Sequence, residues 1–334
     1  MRMRMAKSAF VILLALCAGA KAQNPNLGTS GAQFLQIPVG AREAAMAGAT
    51  IASVHDAAAL FWNPSGIVGV PSNDLFFAHT PYWATISLDH AGFVHTFEDV
   101  GSVGVSVTVL SMDPMDVTTE LEPEGTGERF DAQDLMIGVS FARRLTDDFS
   151  VGITGKYIQQ RIWNETASGV AIDVGTQFRM GFRDLTIGMS LRNFGADLRY
   201  GGQDLEVKYD QSPDLVTNRL SPAQLATSDY PLPLNFQVGI AMTFLDMEDL
   251  TALIATDFNH PNDNKERVNV GMDVTIMKHV AVRGGYRFGY DQESATLGAG
   301  VDAPLGDLRV AFDYAFAFQK ILPDIHRISL RCSL

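Results

Sequence analysis

From about residue 73 to its end the chain alternates apolar and polar side chains with a period of two, the period of the β-strand. Val103, Val105, Val107 and Val109 alternate with Ser102, Gly104, Ser106 and Thr108. Phe236, Val238, Ile240, Met242 and Phe244 alternate with Gln237, Gly239, Ala241 and Thr243. The pattern predicts fourteen strands, near 73–80, 85–97, 100–112, 130–145, 148–163, 166–179, 184–194, 232–245, 250–258, 267–278, 280–290, 293–303, 308–319 and 325–334. Most have the ~10 residues that a tilted strand needs to cross a hydrocarbon layer. An even count suits a closed antiparallel barrel with both ends of the strand run on one side.

In the last five segments Asp273, Arg283, Arg287, Asp302, Arg309, Asp313, Arg327 and Arg331 fall on the phase opposite the apolar residues. A soluble barrel would show the same separation with its apolar phase inside, so the phase alone does not choose. The connections do. Tight turns near 97–100, 146–147, 181–183, 246–249, 277–279 and 304–307 alternate with connections that include the long polar stretches 113–129, 195–231 and 259–266. Short periplasmic turns and long outer loops are the signature of an outer-membrane barrel.

Residues 1–22 read as a secretory signal: Arg2, Arg4 and Lys7, then an apolar run from Phe10 to Ala18, then Ala20-Lys21-Ala22 as a cleavage site. The signal removes four basic residues and no acid. The mature chain then holds 21 basic against 38 acidic residues, a net charge of −17. That charge repels the phosphate backbone, so no nucleic-acid partner is expected. Cys332 is the only cysteine left, which excludes an internal disulfide and a cysteine-rich metal site. No apolar run approaches the ~20 residues of a membrane helix. Enzyme motifs such as G-x-S-x-G, H-E-x-x-H and the P-loop are absent, and neither enzyme nor cofactor is expected.

Residues 23–72 differ from the rest. Glu43-Ala44-Ala45-Met46-Ala47 and Asp56 to Trp62 read as short helical turns, broken by Gly48 and Pro64, with Asp56 as an N-cap. A short, partly helical, Ala-rich segment ahead of a barrel (73–334) reads as an internal plug; a strap packed on the barrel base is the alternative. Trp62, Asn63 and Pro64 are candidates for a gate in that plug, or for a structural turn. Lys156, Asp173, Arg192, Asp273, Arg283, Arg287, Asp302, Arg309 and Asp313, with Arg179 and Asp257, lie on the inward phase. They line a solute path or crosslink the interior. Facing lipid, each would cost ~2–4 kcal/mol at midplane, so inward placement is compelled in either case. Asp257, Asn259, Asn262, Asp263, Asn264 and Glu266 read as a polar outer loop without the spacing of an EF-hand.

Several stretches resemble the PorV/PorQ family of outer-membrane proteins, relatives of the FadL-type fatty-acid transporter barrels. They are GAREAAMAGATIASVHDAAALFWNPSG (40–66), HTPYWATISLDHAG (79–92), PEGTGERFDAQDL (123–135), KYIQQRIWNETASGVAIDVGT (156–176), SLRNFGADLRY (190–200) and HRISL (326–330). The resemblance covers essentially the whole mature chain. Ser65 departs from the usual NPAG, and Leu334 stands where a terminal aromatic is common. The resemblance implies an all-β, 14-stranded transmembrane barrel in the bacterial outer membrane, with the N-terminal segment as a hatch. It implies a non-enzymatic component of type IX secretion or surface attachment. The partners it implies are outer-membrane lipid, translocon subunits and cargo bearing C-terminal sorting domains. A FadL-like transporter of small hydrophobic solutes is the other function it implies, and a barrel that merely anchors envelope proteins is a third reading.

Overall fold

The computed structural model describes residues 26–210 and 220–334. The expected signal segment, 1–22, lies outside the described residues. Fourteen antiparallel strands form the wall. They are β1 (Asn73–Pro81), β2 (Ser87–Phe97), β3 (Gly101–Ser111), β4 (Ala132–Arg144), β5 (Phe149–Ile162), β6 (Glu165–Arg179) and β7 (Thr186–Gly195). β8 (Asn235–Met247), β9 (Leu250–Pro261), β10 (Arg267–Ile276), β11 (Val280–Phe288), β12 (Glu293–Leu305), β13 (Leu308–Gln319) and β14 (Ile325–Ser333) complete it. Each strand pairs with the next, and β1 pairs with β14, with Asp74 opposite Ser333 and His79 opposite Ile328. The ring is therefore closed. Closure pairs the wall's backbone groups strand to strand, the condition for crossing lipid with strands. No helix among the described residues is long and apolar enough to cross a membrane.

The two phases of the alternation divide between lipid and lumen. Val105, Phe236 and Phe312 are 48, 41 and 50 % exposed on the outer face, whereas Arg283 is 9 % exposed inside. This is the inverse of a soluble barrel, and it answers the question that the phase alone left open.

All fourteen predicted segments are strands, with ends displaced by up to three residues. The largest consequence falls on the predicted polar loop at 259–266. β9 runs on to Pro261, so Asp257 and Asn259 are wall residues facing the lumen. Their polarity reads as loop in the sequence because the inward phase is itself polar there. The long connections also carry structure of their own: Met115–Asp116 pairs with Arg129–Phe130, and Glu206–Asp210 with Leu220–Gln224.

Residues 26–72 lie inside the ring. Their helical turns are α1 (Ala41–Ala45), α2 (Ala59–Trp62) and 3₁₀ turns at Gln33–Gln36 and Pro64–Gly69. Leu60, Phe61, Trp62 and Ile67 pack with Phe76, Leu88, Val94 and Ala142 of the wall into one buried apolar cluster. The wall makes room for this segment with glycines on its inward phase. A Cβ at Gly188 would come within 2.5 Å of the Ile51 carbonyl oxygen, and one at Gly271 within 2.5 Å of that of Met46. Gly285 is as tight, at 2.6 Å from the Met46 carbonyl carbon, and Gly152 and Gly175 face Pro64 and Asn63.

Candidate functional site

The inner segment is built from short pieces because its sequence starts and stops helices quickly. Alanine, arginine and glutamate favour α1, which ends where Ala47 and Gly48 turn left-handed at φ 58° and 78°. Asp56 Oδ1 accepts from the Ala58 N–H at 3.0 Å and so caps the approach to α2. α2 stops at Asn63, whose extended backbone suits the proline that follows.

Asn63 is the hub of the segment. Its side-chain nitrogen donates to the Ile51 carbonyl at 2.8 Å and to the Thr176 carbonyl of β6 at 3.2 Å. Its side-chain oxygen accepts from the backbone N–H of Ser65 at 3.2 Å and from the Ser65 hydroxyl at 2.8 Å. Trp62 donates from Nε1 to the Val39 carbonyl at 2.9 Å. Trp62, Asn63 and Pro64 are all buried.

Wall side chains take up backbone groups of the segment, which belongs to no sheet. Asp257 of β9 accepts from the N–H groups of Thr50 and Ile51 at 2.8 and 3.0 Å. Asp74 of β1 accepts from Ala57 at 2.8 Å. Thr296 of β12, Arg287 of β11 and Gln177 of β6 donate to the carbonyls of Ala45, Ala47 and Ile51. Ser190 of β7 and Thr96 of β2 donate to the carbonyls of Trp62 and Val70, and Gln160 of β5 and Ser329 of β14 accept from the N–H groups of Ala32 and Ala41, so nine strands hold the segment's backbone.

The predicted lumen charges fall into separate groups. On the side of the tight turns, a chamber of about 270 Å³ is lined by Arg42, Glu43 and Asp56 of the segment and by the wall charges Asp273, Arg283 and Asp313. Arg283 reaches Asp273 at 3.0 Å and Asp313 at 2.5 Å, and Arg42 reaches Asp273 at 3.3 Å. Arg331 bridges Asp56 at 2.8 Å and Asp302 at 3.2 Å. Arg309 pairs with Asp302 at 2.6 Å, but it stands at the chamber mouth and is half-exposed. Arg179, expected inside, is exposed at the end of β6; the last residue of a strand reaches past the ring. Burial pushes the Glu43 carboxyl up to about 7, with nearby Asp56 adding to the rise and Arg42 opposing it. Burial acts on Asp56 in the same sense, yet Arg331 and Arg42 hold it below the ordinary carboxylate value.

Lys156 and Asp173 form a second, isolated pair at 2.5 Å. It sits where β6 and β7 slip register around Asp173. Asn193, left-handed at φ 62°, donates its N–H to Asp173 Oδ1 at 2.7 Å and accepts from Lys156 at 2.9 Å. Arg192 pairs with no carboxylate among the described residues. It donates to the Phe61 carbonyl at 3.1 Å and lies 5.0 and 5.4 Å from the Phe61 and Trp62 ring centres. Arg287 is bound to Glu293, as is Arg327 at 3.6 Å.

Sequence reasoning passed over Arg42, Glu43 and Asp56 as charges of the inner chamber. Their one signal was that, with His55, they are the ionisable residues of an otherwise alanine-rich stretch. Nor does the strand pattern announce that several wall glycines face the inner segment. Among the described residues no group of three or more His, Cys, Asp or Glu side chains is placed to hold a metal ion.

A closed fourteen-stranded wall with an inner N-terminal segment narrows the relatives to outer-membrane barrels. The family model described as type IX secretion system protein PorV matches residues 20–184. The chain belongs to the PorV family. No curated protein matches it by sequence. In fold this PorV-family barrel is similar to the Pseudomonas putida toluene transporter TodX, at 12 % identity and a TM-score of 0.56 over 88 % of this chain and 96 % of that one. It is similar also to the CymD monoaromatic hydrocarbon channel, at 12 % identity and 0.55, over 89 % and 98 % of the two chains. A Pseudomonas aeruginosa FadL homologue gives 13 % and 0.52 over the same shares. The PorV-family chain is thus an outer-membrane β-barrel of FadL-like architecture.

Proposed function

We propose that this protein serves type IX secretion as a non-enzymatic barrel that works through protein partners, with its lumen held shut by residues 26–72. The family match carries the reading of the process. The packed lumen supports the reading of the role. The segment's backbone is held by side chains from nine strands, and its hub residues Trp62, Asn63 and Pro64 are buried. Under this reading the nine predicted lumen charges hold the segment and brace the wall, and the outer loops carry the partner contacts.

The neighbours described as a toluene transporter and a hydrocarbon channel suggest the other reading, passage of small apolar solutes. That route would have to displace the Asn63 hub or skirt the charged chamber beneath it. Both make it the weaker reading.

The test is purification of the tagged full chain from detergent-solubilised outer membranes. The expected result is co-purification of translocon subunits and of secreted proteins that share a C-terminal sorting domain, together with loss of those proteins from the cell surface in a deletion strain. Normal surface display in the deletion strain, with slowed uptake of toluene or a fatty acid, would overturn the reading in favour of transport.

A further inference from the structure

The outer half of the lumen is built differently from the ionic chamber below. A cavity of about 530 Å³ lies over Trp62 and Gly48, with Tyr82, Trp83 and Tyr290 among its lining rings. Inward positions on three consecutive strands are carboxamides: Asn235 and Gln237 on β8, Asn259 on β9 and Asn269 on β10. Gln237, Asn259 and Asn269 are only 2, 3 and 3 % exposed. The Gln237 amide donates to Asn259 Oδ1 across the β8–β9 pair. Gln237 Oε1 and Asn259 Nδ2 are then left without a partner among the described residues, an acceptor and a donor on neighbouring strands. Asn235 Oδ1 and Asn269 Oδ1 are further unused acceptors, and Arg192 Nε, behind Trp62, is an unused donor.

A buried polar atom without a partner keeps an uncompensated desolvation cost, so a ligand that pairs with it is strongly favoured over one that does not. The set mixes donors with acceptors, and that mixture selects the ligand. Arg267 Nε is a further unused donor in the same lining, Gln292 Oε1 a further unused acceptor, and the Gln319 amide adds one of each. A simple anion would pair with the arginines but oppose the amide oxygens, and an apolar solute would satisfy none of these atoms. Hydroxyl groups both donate and accept. A polypeptide also offers both functions, but peptides commonly bind by adding a strand to a free sheet edge. A closed ring has no such edge and turns only side chains inward. The indole of Trp83 is fixed by its Nε1 bond to the Pro323 carbonyl at 2.9 Å and packs edge-on against Tyr82, with ring centres 5.4 Å apart. Such rings provide flat apolar faces for the C–H face of a pyranose. The volume is within the ~300–1,000 Å³ typical of small-ligand sites.

We propose that the outer lumen is a saccharide-binding site for a short oligosaccharide, held by Gln237, Asn259, Asn269 and Arg192 over a floor of Trp62. The inference does not rest on the secretion reading, and either survives the failure of the other.

The test titrates the full chain in detergent micelles with maltotriose, mannotriose and triacetylchitotriose, followed by calorimetry and by tryptophan emission. Saturable one-site binding of at least one of them is expected. Gln237→Leu and Asn269→Leu should weaken it about tenfold or more, while the outer-wall variant Asp89→Asn leaves it unchanged. Heat-modifiable gel mobility reports whether each variant is folded. If the buried variants fail that check, Trp83→Ala at the rim should weaken binding at least about threefold. The proposal is overturned by no saturable binding of any of the three sugars, by equal affinity in the folded variants, or by saturable binding of the peptide Gly-Ser-Asn-Gly in their place.

Discussion

Glu43 sits on a five-residue helix, with its carboxyl 1 % exposed and one oxygen without a partner. Burial raises its pKa from 4.5 to about 7, so the folded state prefers the neutral acid. The sign follows from linkage. Stability from this group is full below about pH 4.5 and is lost as pH rises through 7. The whole loss is about 3 kcal/mol, since each tenfold change in proton affinity is worth about 1.4 kcal/mol. Glu43→Gln keeps the shape and removes the titration. Thermal unfolding in detergent should therefore fall between about pH 4.5 and pH 7.5 in the parent relative to Glu43→Gln. Parallel pH profiles in the two proteins would rule out Glu43 as the source.

At the scale of the element, the 3₁₀ turn Pro64–Gly69 and α2 meet at one side chain. Asn63 joins them to the Ile51 carbonyl and to β6. Asn63→Ala removes both donor bonds and the cap on Ser65, leaving buried carbonyls orphaned. The expected cost is about 2–4 kcal/mol. Because the wall's own ladders are untouched, the loss should fall on the inner segment. Limited proteolysis should then cut within residues 26–72 in the variant while the barrel persists as a heat-modifiable band. Unchanged protection of that segment would show that the grip of the other wall side chains suffices without its hub. This element was half legible. Asn63-Pro64 as a stop followed from turn chemistry and is found, whereas Ala58 takes the N-cap position of α2 and Asp56, expected there, accepts from the Ala58 N–H just before it. The bond from Asn63 to Thr176 joins residues 113 positions apart, and no local rule reports that.

For the whole molecule, stability depends on which phase meets lipid. Val105 faces outward at 48 % exposed. Val105→Arg should cost about 2–4 kcal/mol in vesicle refolding, whereas Val105→Leu should be nearly neutral. Equal refolding midpoints for the two would mean that β3 is shielded from lipid, as by a partner or a second copy. At this scale the strand count and the closure were legible, since each is a matter of period; the alternation of short and long connections holds only in part, with two residues between Ile162 and Glu165 where a long connection was expected. Which lumen charges pair was not legible. Asp273, Arg283 and Asp313 lie on three strands, and β11 and β13 are joined only through β12.

The amino-acid sequence by itself determined the ring: a period of two, an even number of strands, and charges confined to one phase leave few other ways to hide polar backbone from lipid. Only the tertiary structure decided how the ring is filled. The inner segment presses its backbone against wall glycines and hangs from Asp74, Asp257 and Thr296, which are far apart in the chain. Periodicity is a local property that any ten residues express. The partner of a buried carbonyl depends instead on where curvature and closure bring distant strands together.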